Sequence, residues 1–352
     1  MRRRMSEYEQ LCSLGLPTSE VVPLALGLLE SMLGGGMTCF VWSNPRGEAE
    51  NSYILEDLPA DCPNLYAQEF YNRREAELGP TFTTMLRAGI PLVNFSRHGS
   101  RPTQSAMYSE LLAPFGLRHL TRVSVIDGDR RHGMLALSRR RGDRPHSEKE
   151  EELLLNAARH LGHAFELERV ARLINGGLSD NTETGFILLD RAGRLQHGCN
   201  LGLHLFHEAT RADGLDHRPA ELRLSLPAAL AARARERSPG GEITVTNQRG
   251  EFVFRPLAMR AVASGSDTQV AVTVHRRGSM AARLWRASGH FRLSGRERQV
   301  AVLLGVGKPY EAIADHLGIS RNTAESYVRR TYEKLGTSQR EQLIRTLLTG
   351  PQ

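Results

Sequence analysis

Cysteine is scarce: Cys12, Cys39, Cys62 and Cys199 are the only four in 352 residues. They are scattered and form no C-x-x-C pair, which argues against a disulfide framework and a cysteine-built zinc site. A reducing cytoplasm is the simple expectation. Long apolar runs are missing too. The longest, Val21 to Leu33, is interrupted by Pro23 and Gly27 and is too short to cross a bilayer. Arg2 to Arg4 lead into Met5-Ser-Glu-Tyr-Glu rather than an apolar core, so no signal peptide is expected. There is no G-x-S-x-G, no phosphate-binding Gly/Lys loop and no H-E-x-x-H. The Gly-rich Leu33-Gly-Gly-Gly-Met37 lacks the lysine that a phosphate loop needs. Nor is there a receiver-type cluster of paired acidic residues. The expectation is a protein without catalysis or a cofactor, informed by a bound molecule or partner.

The chain is long enough for two or three domains, and its 40% apolar and 24% charged content fits a globular protein. Its net charge is +7 and its pI near 9.5, which fits a nucleic acid or an anionic membrane surface. The excess is uneven. From Arg286 onward there are 11 Lys and Arg against 6 Asp and Glu. Most of the positive balance therefore lies at the C-terminal end, where a phosphate backbone could lie against it.

The same region carries the clearest pattern. Ala312, Ile313, Ala314 and Leu317 form an apolar stripe at helical spacing, and Gly318 can end that helix in the left-handed conformation. Ser320 stands where an N-cap serves the next helix. Ala324, Val328, Thr331 and Leu335 recur at i, i+4, i+7 and i+11 and predict one buried face. Helix, tight turn, helix is the motif whose second helix enters the DNA major groove. Ser294-x-x-Glu297 and Ser338-x-x-Glu341 read as capping boxes for flanking helices. Four short helices in under sixty residues are expected.

These residues resemble the C-terminal DNA-binding domain of LuxR-type transcriptional regulators. The matching positions are Leu293, Ser294, Arg296, Glu297, Gly307, Ile313, Ala314, Leu317, Ser320, Thr323, Val328, Lys334, Leu335, Gly336, Ser338 and Arg340. Four positions depart from the family pattern. Pro309 replaces a usual serine, Ala324 a usual valine, Tyr327 a frequent histidine and Glu325 a frequent lysine. The resemblance implies DNA contacts from Arg321, Asn322, Thr323, Glu325, Ser326, Arg329, Arg330 and Lys334. Of these, Arg321, Arg330 and Lys334 are expected on phosphates, where loss of any one would weaken all sequences alike. Glu325, Ser326 and Arg329 are expected at base edges. Ionised Glu325 can only accept, so its partner there would be a cytosine amino group, while Arg329 suits guanine. The alternative is that Glu325 merely pairs with Arg329 one turn away. The resemblance also implies a homodimer joined through the last helix by Leu343, Leu347 and their neighbours.

Upstream, residues 1–170 read as an α+β domain. Helix is expected over Glu20–Met32, Tyr66–Arg74, Thr81–Arg87 and Met107–Pro114. Strands are expected over Met37–Trp42, Glu50–Leu55, Leu120–Ile126 and Gly133–Arg139, the last two joined at Asp127-Gly-Asp129. A long helix should run from Ser147 to Val170, with Ser147-x-x-Glu150 as its capping box. The segment from Leu111 through this hairpin to the helix resembles the GAF-like input region of many LuxR-type regulators. Polar, Gly-rich Asn175–Thr184 reads as a linker. Residues 171–280 then give strands over Gly185–Asp190 and Arg194–His197, helices over Leu201–Ala209 and Ala220–Arg237, and strands over Glu242–Thr246, Glu251–Met259 and Thr268–Val274. That order resembles a PAS domain. Basic Arg276–His290 reads as a tether to residues 281–352. The fold class is thus multidomain α+β: GAF-like and PAS-like sensory domains followed by an all-α four-helix helix-turn-helix domain.

A candidate ligand lining comprises Trp42, Tyr53, Tyr66 and Phe70. Tyr66-x3-Phe70-x8-Gly79-Pro80 resembles the Trp-x3-Tyr-x8-Asp-Pro of autoinducer-binding LuxR proteins, but Gly79 stands at the Asp position. A ligand amide left unpaired there costs about 1–3 kcal/mol, which argues against acyl-homoserine lactone. Core aromatics, or an unidentified apolar small molecule, are the alternatives. His204-x-x-His207 with Cys199 upstream lacks further ligands at suggestive spacing, so no metal is expected. The reading is a cytoplasmic regulator binding double-stranded DNA as a homodimer, with no membrane partner. The alternative is a ligand-binding signalling protein whose terminal bundle docks a protein.

Overall fold

The structure is a computed structural model that describes residues 2–55, 65–97, 101–174, 183–190, 192–210, 219–235, 241–247, 249–258 and 269–350. Two compact units are present, one built on Met1–Asn175 and the other on Gly176–Ala212 with Asp216–Gln352. Among the described residues no helix is long and apolar enough to cross a membrane.

The first unit opens with α1 (Arg2–Cys12) and α2 (Thr18–Leu33). The first of these was not expected from apolar spacing, yet it buries Tyr8, Leu11 and Cys12 against its neighbours. The second ends at Gly34, whose φ of 82° suits glycine alone. Strands β1 (Gly36–Ser43) and β2 (Ala49–Ile54) follow at the expected places and pair antiparallel. The segments read as helices over 66–74 and 107–114 are looser than expected. They are short π and 3-10 turns at Tyr66–Phe70, Arg74–Glu77, Met107–Leu112 and Ala113–Phe115. Then come α3 (Phe82–Ala88), β3 (Leu92–Asn94), β4 (Leu117–Asp127), β5 (Arg130–Arg140) and the long α4 (Glu148–Ile174).

The sheet runs β2-β1-β5-β4-β3, antiparallel throughout. Its two faces have separate cores. Phe40 and Trp42 pack on one side, where Phe165 of α4 lies 5.5 Å from the Phe40 ring. On the other, Cys39, Met134 and Ala136 meet Phe70, Phe82, Met85, Phe95 and Leu111. The box at the start of α4 is only half made. Glu150 Oε2 accepts both the amide and the hydroxyl of Ser147 at 2.8 Å, so that hydroxyl donates to the carboxylate. Arg139 adds a bond of 2.9 Å to the same carboxylate.

In the second unit β6 (Glu183–Leu189), β7 (Leu195–Gly198), α5 (Asn200–Thr210), α6 (Pro219–Arg235), β8 (Ile243–Asn247), β9 (Gly250–Ala258) and β10 (Val270–Arg277) follow the expected order. Their sheet runs β7-β6-β10-β9-β8, again antiparallel. The linker expected over 175–184 lies outside the described residues up to 182, and its last two residues belong to β6.

The basic tether expected over Arg276–His290 is not a tether. Arg276 and Arg277 end β10, and Met280–Ser288 forms α7, capped by Ser279 and burying Leu284 and Trp285. This helix packs on α8 (Gly295–Gly305) and on α11 (Arg340–Thr349), so the terminal bundle has five helices rather than four. Close approach explains Gly305, where an added Cβ would stand 2.3 Å from Leu284 Cδ1. Arg298 of α8 locks the contact. Its guanidinium lies 4.1 Å from the Trp285 ring centroid and bonds Trp285 O at 3.0 Å and Ser288 Oγ at 3.1 Å.

Two groups with large shifts contribute to the acid sensitivity of the first unit. Burial would raise the Glu150 carboxyl, but Arg139 and Ser147 outweigh it and hold it to about 2. Burial, then the nearby Arg139 charge, lowers His146 to about 4. Both take up protons more readily unfolded, near about 4.3 and 6.5 respectively. Stability should therefore be full at neutral pH and fall between pH about 6.5 and about 2. Denaturant midpoints measured against pH should show this. Glu150→Gln should lower the neutral plateau and flatten the fall below about pH 4.5.

Candidate nucleic-acid interface

The turn between α9 (Tyr310–Leu317) and α10 (Arg321–Leu335) forms as its residues dictate. Gly318 adopts φ 62°, and Ser320 Oγ accepts the Thr323 amide at 3.2 Å. Pro309 caps α9 without a side-chain bond. Ala324, Val328, Thr331 and Leu335 are buried in one stripe. That fixes which residues of α10 face outward. Asn322, Arg329 and Arg330 are exposed, Ser326 is half-buried, and a shallow depression is lined by Asn322, Thr323, Ser326, Tyr327 and Arg330. The hydroxyl of Ser326 donates to Asn322 O at 2.9 Å, and Arg329 reaches Glu333 only at 3.9 Å.

Glu325 does not pair with Arg329. Its Oε1 accepts Arg321 Nε at 3.1 Å, and Arg321 Nη1 also reaches Glu311 of α9 at 2.7 Å. Arg321 is thus held between two carboxylates at the start of α10.

Lys334, expected on a phosphate, instead places its ammonium 2.7 Å from Glu297, whose side chain is only 6% exposed. Glu297 also completes the expected box with Ser294. Burial would raise this carboxyl, but Lys334 and the Ser294 amide outweigh it and hold it below the ordinary range. The box expected at Ser338-x-x-Glu341 does not form. The helix starts at Arg340 without a side-chain cap, and the Ser338 amide bonds Gln342 Oε1. Arg340 donates to Gly305 O at 3.1 Å, closing the end of α8. Leu343 and Leu347, expected between protomers, are buried inside the bundle. Ile344 and Leu348 are the half-exposed apolar residues of that helix.

The four candidate ligand residues of the first unit are not brought together. Trp42 shares its sheet face with Phe40, and Tyr53 stands opposite Phe40 across the β1–β2 ladder, so both belong to the α4 side. Tyr66 and Phe70 pack on the other face. Tyr66 is bound up in a polar centre that sequence reasoning missed. Its hydroxyl donates to Glu75 Oε2 at 2.9 Å, and Glu75 pairs with Arg122 at 2.7 Å with both side chains almost fully buried. The Asn72 and Phe82 amides fill Glu75 Oε1. Burial would raise Glu75, but Arg122 and these amides outweigh it and lower its carboxyl. The available signal was Arg122 itself, the one charge within the Leu120–Ile126 strand. His204 is exposed and His207 half-buried on α5, and no metal-holding cluster occurs among the described residues.

Comparison with known families agrees with the bundle's geometry. Residues 292–347 match the family described as bacterial regulatory proteins, luxR family. They form a LuxR-type helix-turn-helix domain. Residues 19–165 match the GAF domain and so identify the first unit's sheet and flanking helices. Both families are regulatory rather than enzymatic. Solved structures with some likeness include the phage VqmA–DPO complex, at 21% identity over 51% of this chain and 87% of that one, TM-score 0.20. The Vibrio cholerae VqmA dimer without target DNA matches at 20% identity over 52% and 87%, TM-score 0.18. Bacteriophytochrome RpBphP3 from R. palustris matches at 13% over 76% and 61%, TM-score 0.29. At such scores these structures add nothing to the domain matches. No curated protein matches the chain.

The Lys334–Glu297 pair is a stability contact. Lys334→Met should destabilise the LuxR-type domain by roughly 1–3 kcal/mol at neutral pH, since a nearly buried carboxylate loses its charged partner. Glu297 is held low, so its contribution is present above the ordinary carboxyl range and fades as pH falls. Thermal melts of variant and parent should converge in acid.

Proposed function

We propose that the chain is a DNA-binding transcriptional regulator in which an N-terminal GAF domain senses a small molecule and the LuxR-type domain binds an operator. One observation carries the reading most. The buried stripe of α10 leaves Asn322, Ser326, Arg329 and Arg330 on its outward face, in the helix built to enter a major groove. The concentration of Lys and Arg beyond Arg286 supports it. The middle region is PAS-like: two strands, two helices and three strands form one antiparallel sheet ordered second, first, fifth, fourth, third. The cytoplasm, where the DNA is, is its place of action.

Arg330 is exposed and lacks an acidic partner among the described residues, so it is the phosphate contact left on this face. Arg330→Ala should weaken all duplexes by a similar factor and lower the salt slope of binding by about one unit. Fluorescence anisotropy between 50 and 200 mM salt, about the range over which such slopes resolve, checks this. A slope unchanged from the parent contradicts the assignment.

Two half-sites one turn apart need two copies of the domain. With Leu343 and Leu347 buried, the half-exposed Ile344 and Leu348, one turn apart on α11, are the residues proposed for that contact. The full-length protein should sediment on a two-half-site duplex as a dimer, and Ile344→Asp with Leu348→Asp should leave one copy bound. Dimers that survive the double change place the contact elsewhere.

A further inference from the structure

The pairing of Arg321 with both Glu311 and Glu325 has a meaning beyond a surface salt bridge. Arg321 opens the recognition helix, Glu325 lies one turn on, and Glu311 reaches across from α9. All three are exposed, at 62%, 46% and 70% of their side chains. Two carboxylates on one guanidinium leave this corner with a net negative charge. A corner of that sign beside the groove repels phosphate, whereas a lone Arg321 would attract it. The neighbouring charges do not cancel it. Arg329 has Glu333 at 3.9 Å, and Arg330 stands nine residues beyond Arg321 on α10.

We propose that Glu311, Arg321 and Glu325 form a specificity clamp for DNA. The inference rests on the DNA-binding reading above. With the clamp closed, Arg321 is withheld from the phosphates, and a duplex of arbitrary sequence meets only the repelled corner. A duplex that presents a base amino group in the major groove, such as cytosine N4, offers Glu325 a new donor. Glu325 then exchanges Arg321 for the base, and Arg321 swings onto the adjacent phosphate. One correct base pair thus gains two contacts, while an incorrect one gains neither. Glu311 is a positioning residue: it touches no base and acts by holding Arg321 back. The device works by weakening wrong complexes as much as by strengthening the right one.

The test uses the full-length protein. Preferred sites are selected from a random duplex library, and dissociation constants are then measured for the selected and a scrambled duplex across a salt series. The variants are Glu325→Gln, Glu311→Gln and Arg321→Ala, all at exposed positions, with folding checked by circular dichroism. The clamp requires opposite signs. Glu325→Gln should tighten the scrambled duplex and cut the selected-to-scrambled preference about tenfold, the size of one base contact. Glu311→Gln makes opening easier, so it should tighten the selected duplex severalfold without reducing preference. Arg321→Ala should lower the salt slope by about one unit on the selected duplex only. Equal tightening of both duplexes by both glutamate variants means simple repulsion and overturns the clamp, as does an Arg321→Ala slope loss on both duplexes. A parent protein that binds no duplex at low salt overturns the DNA-binding reading itself, and the clamp with it.

Discussion

One carboxylate organises the DNA-binding end of this chain. Glu297 sits nearly buried at the first turn of α8, where it satisfies the Ser294 amide and accepts Lys334 from the last turn of α10. A buried charge must be partnered, so the residue that starts one helix also fixes where another ends. The recognition helix is thereby pinned at its C-terminal end by polar contact and along its length by the 324, 328, 331 and 335 stripe. Its N-terminal end, with Arg321 and Glu325, has no such buried anchor and meets solvent.

The same rule shapes the GAF domain. Glu75 with Arg122 sits on one face of its sheet, and Arg139 with Glu150 ties the end of β5 to the start of α4. Each carboxylate also collects backbone amides, which is why a charged group persists in otherwise apolar packing. Glu75 and Arg122 join segments 47 residues apart, whereas Arg139 and Glu150 close a short connection between β5 and α4.

What could be read from the chain follows how local its physics is. The helix-turn-helix was fully legible because a left-handed glycine, an N-cap serine and a four-residue stripe act within twenty residues. The sheet strands were legible from alternation and turn chemistry, except β3, whose three residues are too few to show a period. The pairing of Lys334 was not legible because its partner lies 37 residues back in sequence. Ser338 failed as a cap because Gln342, one residue past the box position, reaches its amide instead. α7 was read as a tether because its charges were counted and its buried pair, Leu284 and Trp285, was not. Strand parity could have set Trp42 on the Phe40 face rather than the Cys39 face, but Tyr66 lies in a helical turn, where strand parity says nothing. The spacing of Arg321 and Glu325 was readable, but the second acid was not, because Glu311 belongs to a different helix.

The junction ahead of the bundle has a mechanical consequence. β10 ends at Arg277 and α7 begins at Met280, so only Gly278 and Ser279 intervene, and Gly278 is buried. From Arg277 to Met280 the backbone can span no more than about 11 Å. There is no slack to absorb movement. Ser279 is already fixed by capping α7, and α7 is locked to α8 by Arg298 and Gly305. The end of β10 therefore limits where α7 can start.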